Sequence, residues 1–323
     1  VRTVATVAEL VAGLRAGDRR AVARLLSLVE DGDRGRVRRV VELCHPITGR
    51  AEIVGLTGAP GVGKSTLASG LVAAWRRQGR EVAVLAIDPS SPLTGGALLG
   101  DRIRLQAHAL DDGVYVRSMA SRGHLGGLAW AAPHALAVLD AAGFDVVLLE
   151  TVGVGQGEVE VAAVADVTVV AVAPGMGDAV QAAKAGVLEV GDVLCVTKGD
   201  LAGAERTVAE LEEAQRDGGL VRTPVLRTNA IAGEGIAELV DVLSALRDER
   251  CADPAHRPRH RARAHLQVRE IAVAALRRRV DEAITGELLD AVARGDIDPY
   301  AAADRLLADL DLPDTTGGSE GAG

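Results

Sequence analysis

Apolar positions follow two rhythms along this chain. Through residues 1–48 they recur three or four apart, as in VAELVAGLRAGDRRAVARLLSLVE, which predicts amphipathic helices. A polar break, DGDRGR, interrupts them, and HPITGR leads out of them. From about Ala51 the rhythm becomes one of short continuous apolar runs, separated by loops and helical segments. The strand candidates are EIVGLT (Glu52–Thr57), EVAVLAI (Glu81–Ile87), VYVRSM (Val114–Met119), DVVLLE (Asp145–Glu150), VTVVAVA (Val167–Ala173), DVLCVT (Asp192–Thr197) and TPVLRT (Thr223–Thr228). Most do not alternate. Strands buried on both faces read this way, so the pattern predicts an α/β fold with a mostly parallel, doubly wound sheet. Right-handed crossovers then bring every strand's carboxyl end to one rim, where ligands bind in such sheets. After about Leu246 the strand signals stop. REIAVAALRRRVDEAI, GELLDAVARG and DPYAAADRLLADL have helical periods, and the last opens with Asp-Pro, a helix-start signal. The expected organisation is an N-terminal helical extension (1–48), an α/β domain (49–247), a C-terminal helical arm (248–312) and a disordered tail (313–323).

GAPGVGKST, Gly58 to Thr66, stands between the first strand candidate and the helical segment LASGLVAAWRRQ. Those flanks are what the phosphate-loop pattern G-x-x-x-x-G-K-[ST] requires, and they weigh against a glycine-rich turn that binds nothing. The backbone N–H groups of Gly58, Pro60-flanked Gly61, Val62 and Gly63 can surround phosphates at a helix start. Lys64 is placed to reach the β- and γ-phosphates, and Ser65, followed by Thr66, to ligate Mg²⁺. The expected ligand is a nucleoside triphosphate with its magnesium.

Further chemistry falls at the same rim. EVAVLAI runs into Asp88, and DVVLLE ends in Glu150. Both acids are candidates to hold Mg²⁺, directly or through its waters, against the alternatives of a helix cap or a surface charge. Asp101, after GGALLG, is a third candidate. Glu150-Thr-Val-Gly153 is similar to the D-x-x-G element of G proteins, in which the glycine N–H meets the γ-phosphate and releases when that phosphate is lost. Gln156 is a candidate to orient an attacking water, against a merely solvated role. Thr197-Lys198-Gly-Asp200 is similar to the base-reading N-K-x-D. The Asp200 carboxylate can accept from guanine's imino and amino groups, where adenine offers an acceptor. A buried polar mismatch of that kind discriminates by about 10⁴-fold. The alkyl stem of Lys198 would lie over the base, and Thr197 lacks the asparagine amide. Asn229-Ala230 occupies the place of a final base contact.

Composition mostly excludes. The formal net charge of −9 argues against extensive nucleic-acid binding. The basic stretch Arg257–Arg279 has no interleaved aromatics and reads as a solvated helix face. Cys44, Cys195 and Cys251 lie far apart, with neither a disulfide framework nor zinc-ligand spacing. No apolar stretch of membrane-spanning length is free of charges and turn residues, and the N-terminus does not resemble a secretory signal, so a reducing cytoplasm is the expected compartment. His108, His124 and His134 lack ligand spacing and are expected in satisfied surface or core roles.

DPSSPLTGGALLGDRIR, SRGHLGGLA, AAGFDVVLLETVGVGQ, AVQAAKAGVLEVGD and DPYAAADRLL carry a more specific resemblance. Over roughly Val11 to Leu310 the chain resembles the MeaB/ArgK/methylmalonic aciduria type A family, P-loop GTPases of the signal-recognition-particle-like class. The resemblance implies a homodimeric GTPase that chaperones an adenosylcobalamin-dependent mutase, chiefly methylmalonyl-CoA mutase, gating cofactor loading and protecting the enzyme. It implies GTP and GDP as substrate and product, with Mg²⁺ as cofactor. It puts Lys64, Ser65, Asp88, Asp101 and Glu150 at phosphate and metal positions, and Lys198 and Asp200 at base positions. Gly175–Lys184 matches a loop that communicates with the mutase, although Ala179 follows Asp178 where the family has an acid. It implies that the C-terminal arm is for dimerisation. Some relatives carry an older label as a kinase or ATPase linked to basic amino-acid transport, and a nucleotide-stabilised scaffold is a third possibility.

Overall fold

Glu52–Thr57 is buried at all six positions and forms β1, the strand around which the rest is arranged. The structure, a computed structural model, describes residues 5–31, 33–88, 106–108, 110–120, 131–151, 157–175, 191–217, 223–252 and 257–312. Among them, β1 joins β2 (Val82–Asp88), β3 (Val114–Ala120), β4 (Val146–Thr151), β5 (Val167–Val172), β6 (Val193–Val196) and β7 (Val225–Arg227) in one sheet, ordered β3-β2-β4-β1-β5-β6-β7. Every pairing is parallel. The strands match the expected segments within two residues at either end. Asp88 falls inside β2 and Thr151 inside β4, while β7 keeps only the middle of its segment.

The pleat sorts the strand residues into two apolar layers. Ile53, Leu85, Val147 and Leu149 face one side. There they pack with α1 (Val7–Arg15), α2 (Arg19–Asp31), α3 (Arg34–Cys44), α5 (Ala132–Ala141) and α6 (Gly157–Val164). Val54, Leu56, Val84 and Leu148 face the other side. They meet α4 (Lys64–Arg77) and the helix Ile236–Ala252. A third cluster joins Val170, Val172, Leu194 and Val196 to the helix Ala204–Asp217. Aliphatic side chains make nearly all of this core, and Trp75 of α4 is its one fully buried aromatic among the described residues.

The N-terminal helices start from readable caps. Thr6 and Glu9 form a reciprocal capping box on α1, and the Asp33 carboxylate accepts from the Arg36 N–H at the start of α3. Leu25, Leu26 and Val29 of α2 are fully buried. Arg19 of α2 donates to the Val114 carbonyl at 2.8 Å, and Arg117 of β3 reaches Glu30 at 2.6 Å. These two contacts tie α2 to the edge strand β3.

The amino ends of the strands are held by carboxylates. Asp140 accepts from the N–H groups of Gly49, Arg50 and Ala51 just before β1. Asp166 accepts from Ile53, Asp145 from Glu81, and Asp192 from Thr168. Glu52, whose side chain is fully buried, pairs with Arg80 at 2.8 Å.

By its internal contacts the chain divides into Val1–Arg259 and His260–Gly323. Within the second unit, Thr285 caps the helix Gly286–Arg294, and Gly295 ends it in the left-handed conformation (φ 78°). Asp298 caps Pro299–Asp309 by accepting from the Tyr300 and Ala301 N–H groups, as the Asp-Pro signal predicts. No described helix is long and apolar enough to cross a membrane.

His134 is buried in α5, as a core role requires, and burial pulls its pKa down to about 4. The unfolded chain therefore takes up this proton first. The stability that the neutral ring contributes is complete above pH 6.5 and is lost as pH falls towards 4. The difference amounts to about 3 kcal/mol. Urea unfolding at pH 7 and pH 4.5 should show His134→Gln losing markedly less stability on acidification than the parent chain.

Candidate functional site: a phosphate loop and a base pocket on one rim

The sheet order reverses around β1. The chain steps from β1 to β2 on one side and later crosses to β5 on the other. A crevice opens at such a point, at the carboxyl ends of the strands. Gly58 to Gly63 emerge there and pass into α4. Gly58 (φ 138°), Gly61 (φ 78°) and Gly63 (φ 104°) all take backbone conformations that side chains disfavour. A Cβ on Gly58 would stand 2.2 Å from the Ala171 carbonyl oxygen of β5. Gly63, at the head of α4, brings no capping side chain, which leaves the helix start open to an anion.

Lys64 is buried, and its ammonium donates to the carbonyls of Gly58 (2.7 Å) and Ala59 (3.0 Å). The ion thus spans the loop it belongs to. Ser65 is buried one residue on, and its hydroxyl donates to Glu150 Oε1 at 2.8 Å. Glu150 is itself buried near the end of β4, level with Leu56 of β1 and Ala86 of β2. The two residues are 85 apart in sequence, and the strand order alone brings them together. A hydroxyl and a carboxylate in contact are hard oxygen donors of the kind magnesium takes, so this pair fits that ion. Asp88 closes β2 at the same rim, beside Ala120 in register. Asp101, Gly153 and Gln156 lie outside the described residues, as does the greater part of the segment Gly175–Lys184.

A second feature adjoins the loop. Gly63, Thr66, Thr197, Lys198, Asp200 and Ala230 line a cavity of about 230 Å³. Asn229 and Ile231 border it as well. Lys198 and Asp200 are exposed, and Lys198 has a left-handed backbone (φ 51°). Its ammonium donates to the Gly61 carbonyl at 2.9 Å, which draws the alkyl stem across the cavity's edge. Asn229 pairs through its backbone with Glu234 in both directions, and its side-chain oxygen accepts from the Ala232 N–H. That side chain shapes its own turn.

Two anchors were not foreseen from the sequence. Ser69 of α4 hydrogen-bonds His108 at 2.9 Å, and Arg76 of α4 forms a two-pronged pair with Asp111. The guanidinium beside Asp111 holds that carboxyl below its usual range. Both ties fix the run into β3 against the helix that follows the phosphate loop. The only available sequence signal was a lone histidine and a common acid. Beneath the base cavity, burial pushes the Cys195 thiol up to about 12, so it stays protonated and is no nucleophile.

A parallel sheet with a glycine-lined loop, a buried lysine and a Ser–carboxylate pair at its switch point defines a P-loop nucleoside triphosphatase. Residues 22–285 match the family described as methylmalonyl Co-A mutase-associated GTPase MeaB, and the chain belongs to that family. It is 44% identical over 313 residues to a Pyrococcus abyssi protein carrying a GTPase name, covering 94% of this chain and 96% of that one. It is 35% identical over 260 residues to the mitochondrial methylmalonic aciduria type A homolog of Mus musculus, covering 73% of this chain and 62% of that one. The solved structure of an LAO/AO transport system kinase has a TM-score of 0.70 at 25% identity, covering 97% of this chain and all of the other. The chain is thus a GTPase of the MeaB family.

The loop's geometry separates its glycines. Gly58→Ala drives a methyl group into the β5 backbone, whereas a Cβ at Gly61 meets nothing within 4 Å and bears only the left-handed backbone cost of about 1–2 kcal/mol. Calorimetric titration with GTP should find affinity reduced by about 100-fold or more in Gly58→Ala, and by no more than about 30-fold in Gly61→Ala.

Proposed function

We propose that this GTPase is a switch serving an adenosylcobalamin-dependent acyl-CoA mutase, first of all methylmalonyl-CoA mutase, whose cofactor loading it gates and whose activity it protects. The contact that carries this reading is Ser65 against Glu150, beside Lys64. It puts a metal-binding hydroxyl, a carboxylate and a phosphate-binding cation on one rim. The family's description as mutase-associated supports the choice of partner.

In this reading Lys64 exchanges the Gly58 and Ala59 carbonyls for β- and γ-phosphate oxygens. The N–H groups of Gly61 to Thr66 surround the phosphates. Ser65, Glu150 and Asp88 would hold magnesium, which would supply positive charge against the phosphates. Asp101 joins this group, and Gly153 meets the γ-phosphate. Gln156 orients the water. Catalysis is then positioning and charge stabilisation, with little covalent work for the protein. Asp200 reads guanine, Lys198 covers it, and the backbone at Asn229 and Ala230 closes the pocket. Residues 248–312 form a dimerisation arm on the α/β domain of 49–247, residues 1–48 are its helical extension, and the chain works in the cytoplasm.

The decisive experiment measures GTP turnover and nucleotide affinity with and without methylmalonyl-CoA mutase. The expected result is a change in either quantity when the mutase is added, with a matching nucleotide effect on mutase affinity, because binding linkage is reciprocal. No change in any of them overturns the partner assignment. Transfer of labelled γ-phosphate to a small molecule or protein instead of water would favour a kinase like the LAO/AO-named structural relative.

The two halves of the site should separate by mutation. Asp200→Ala is expected to reduce the preference for GTP over ATP by at least about tenfold. Ser65→Ala should keep that preference and lose about 10²-fold in magnesium-dependent turnover. Steady-state rates with both nucleotides across a magnesium titration test the pair.

A further inference from the structure

The T-K-G-D segment differs from the base-reading N-K-x-D pattern at its first residue, and the structure accounts for the difference. Thr197 is 3% exposed. Its hydroxyl oxygen lies 2.5 Å from the Val62 carbonyl oxygen and 3.0 Å from that of Val172. A hydroxyl has one proton to give. The Val172 carbonyl already accepts from the Thr197 backbone N–H at 2.8 Å. The shorter contact, to Val62, therefore takes the side-chain proton. The next residue repeats the pattern one step back along the loop, with Lys198 donating to Gly61. The left-handed turn at Lys198 lets two successive side chains address two successive carbonyls. A Cβ on Gly63 would stand 3.8 Å from Lys198 Cε and 3.9 Å from Thr197 Oγ1, so the two loops meet over three consecutive residues.

We infer that Thr197 is a positioning residue for the phosphate loop and takes no part in reading the base. Its hydroxyl is buried and committed to Val62, which leaves nothing directed at the imidazole edge of guanine. Recognition then rests on the pyrimidine edge, through Asp200, and the N7 atom of the base is not read by this side chain. Thr197 acts through the loop, because it fixes the carbonyl of Val62 on the opposite side of the peptide from the N–H groups that meet phosphate. This inference rests on the proposed placement of the base and phosphates, and deepens it.

The test compares GTP, 7-deaza-GTP and ATP on the full chain with magnesium, by equilibrium titration. The parent protein should bind 7-deaza-GTP within about threefold of GTP. Thr197→Val keeps the shape and removes the hydroxyl, and should weaken GTP and 7-deaza-GTP alike by about tenfold, the scale of one hydrogen bond. It should leave the GTP-to-ATP ratio unchanged within about twofold. Thr197→Ser should restore affinity to within about threefold of the parent, a rescue that loss of packing alone would not give. Loss of tenfold or more on 7-deaza substitution in the parent chain, or a collapsed GTP-to-ATP ratio in Thr197→Val, overturns the inference while leaving the site in place. Failure of the parent chain to bind GTP at all overturns the site and the inference together. The 7-deaza comparison needs no variant, so it stands even if Thr197→Val does not fold.

Discussion

β1 leaves the sheet through a gap with no room for a side chain. Gly58 passes so close to β5 that a single added carbon would overlap the Ala171 carbonyl. Three residues earlier, a Cβ on Gly55 would come within 2.3 Å of Val161 and 2.9 Å of Ala165, where α6 presses on the strand. β1 is thus clamped from the side and from one face at the point where it must release the phosphate loop. The Ser65–Glu150 contact, the ammonium bridge of Lys64 and the ties from Thr197 and Lys198 depend on that exit. A one-residue slip in the register of β1 would turn its side chains to the opposite faces and move the point at which the loop leaves.

The central strands were legible because burial on both faces removes the need for polar alternation, and valine- and leucine-rich runs such as VAVLAID and VVLLET have few other readings. The phosphate loop was legible because its glycines serve backbone geometry, which tolerates no substitute. β7 was read too long. Thr223 has strand propensity but bonds to Gln215 outside the sheet, whereas the Thr228 N–H gives the sheet's last bond on this edge, to the Val196 carbonyl of β6. The role of Thr197 was invisible for another reason. A missing asparagine shows what a residue cannot do, whereas a hydrogen bond to a carbonyl 135 residues away exists only once β1, β5 and β6 have aligned. His108 and Arg76 belong with it, since their partners come from distant segments of unremarkable composition.

The N-terminal helices show how far packing extends beyond the sheet. Their buried leucines share a layer with α5 and the strand residues, and their arginine and glutamate hold β3. Periodicity identified them as helices. It did not say that they complete the core of the nucleotide-binding half, because an amphipathic stripe records only that something apolar lies opposite.

The aspartates beneath the sheet have a bearing on motion. Asp140, Asp145, Asp166 and Asp192 hold main-chain amides at the entry to the strands, and such ties resist opening. Slow amide exchange belongs at that end of the molecule. At the opposite end, among the described residues, the ammonium groups of Lys64 and Lys198 hold phosphate-loop carbonyls. The carboxylate-held floor and the ammonium-held loops thus divide the sheet's two ends into one tied to main chain and one whose side-chain ties a bound anion would compete for.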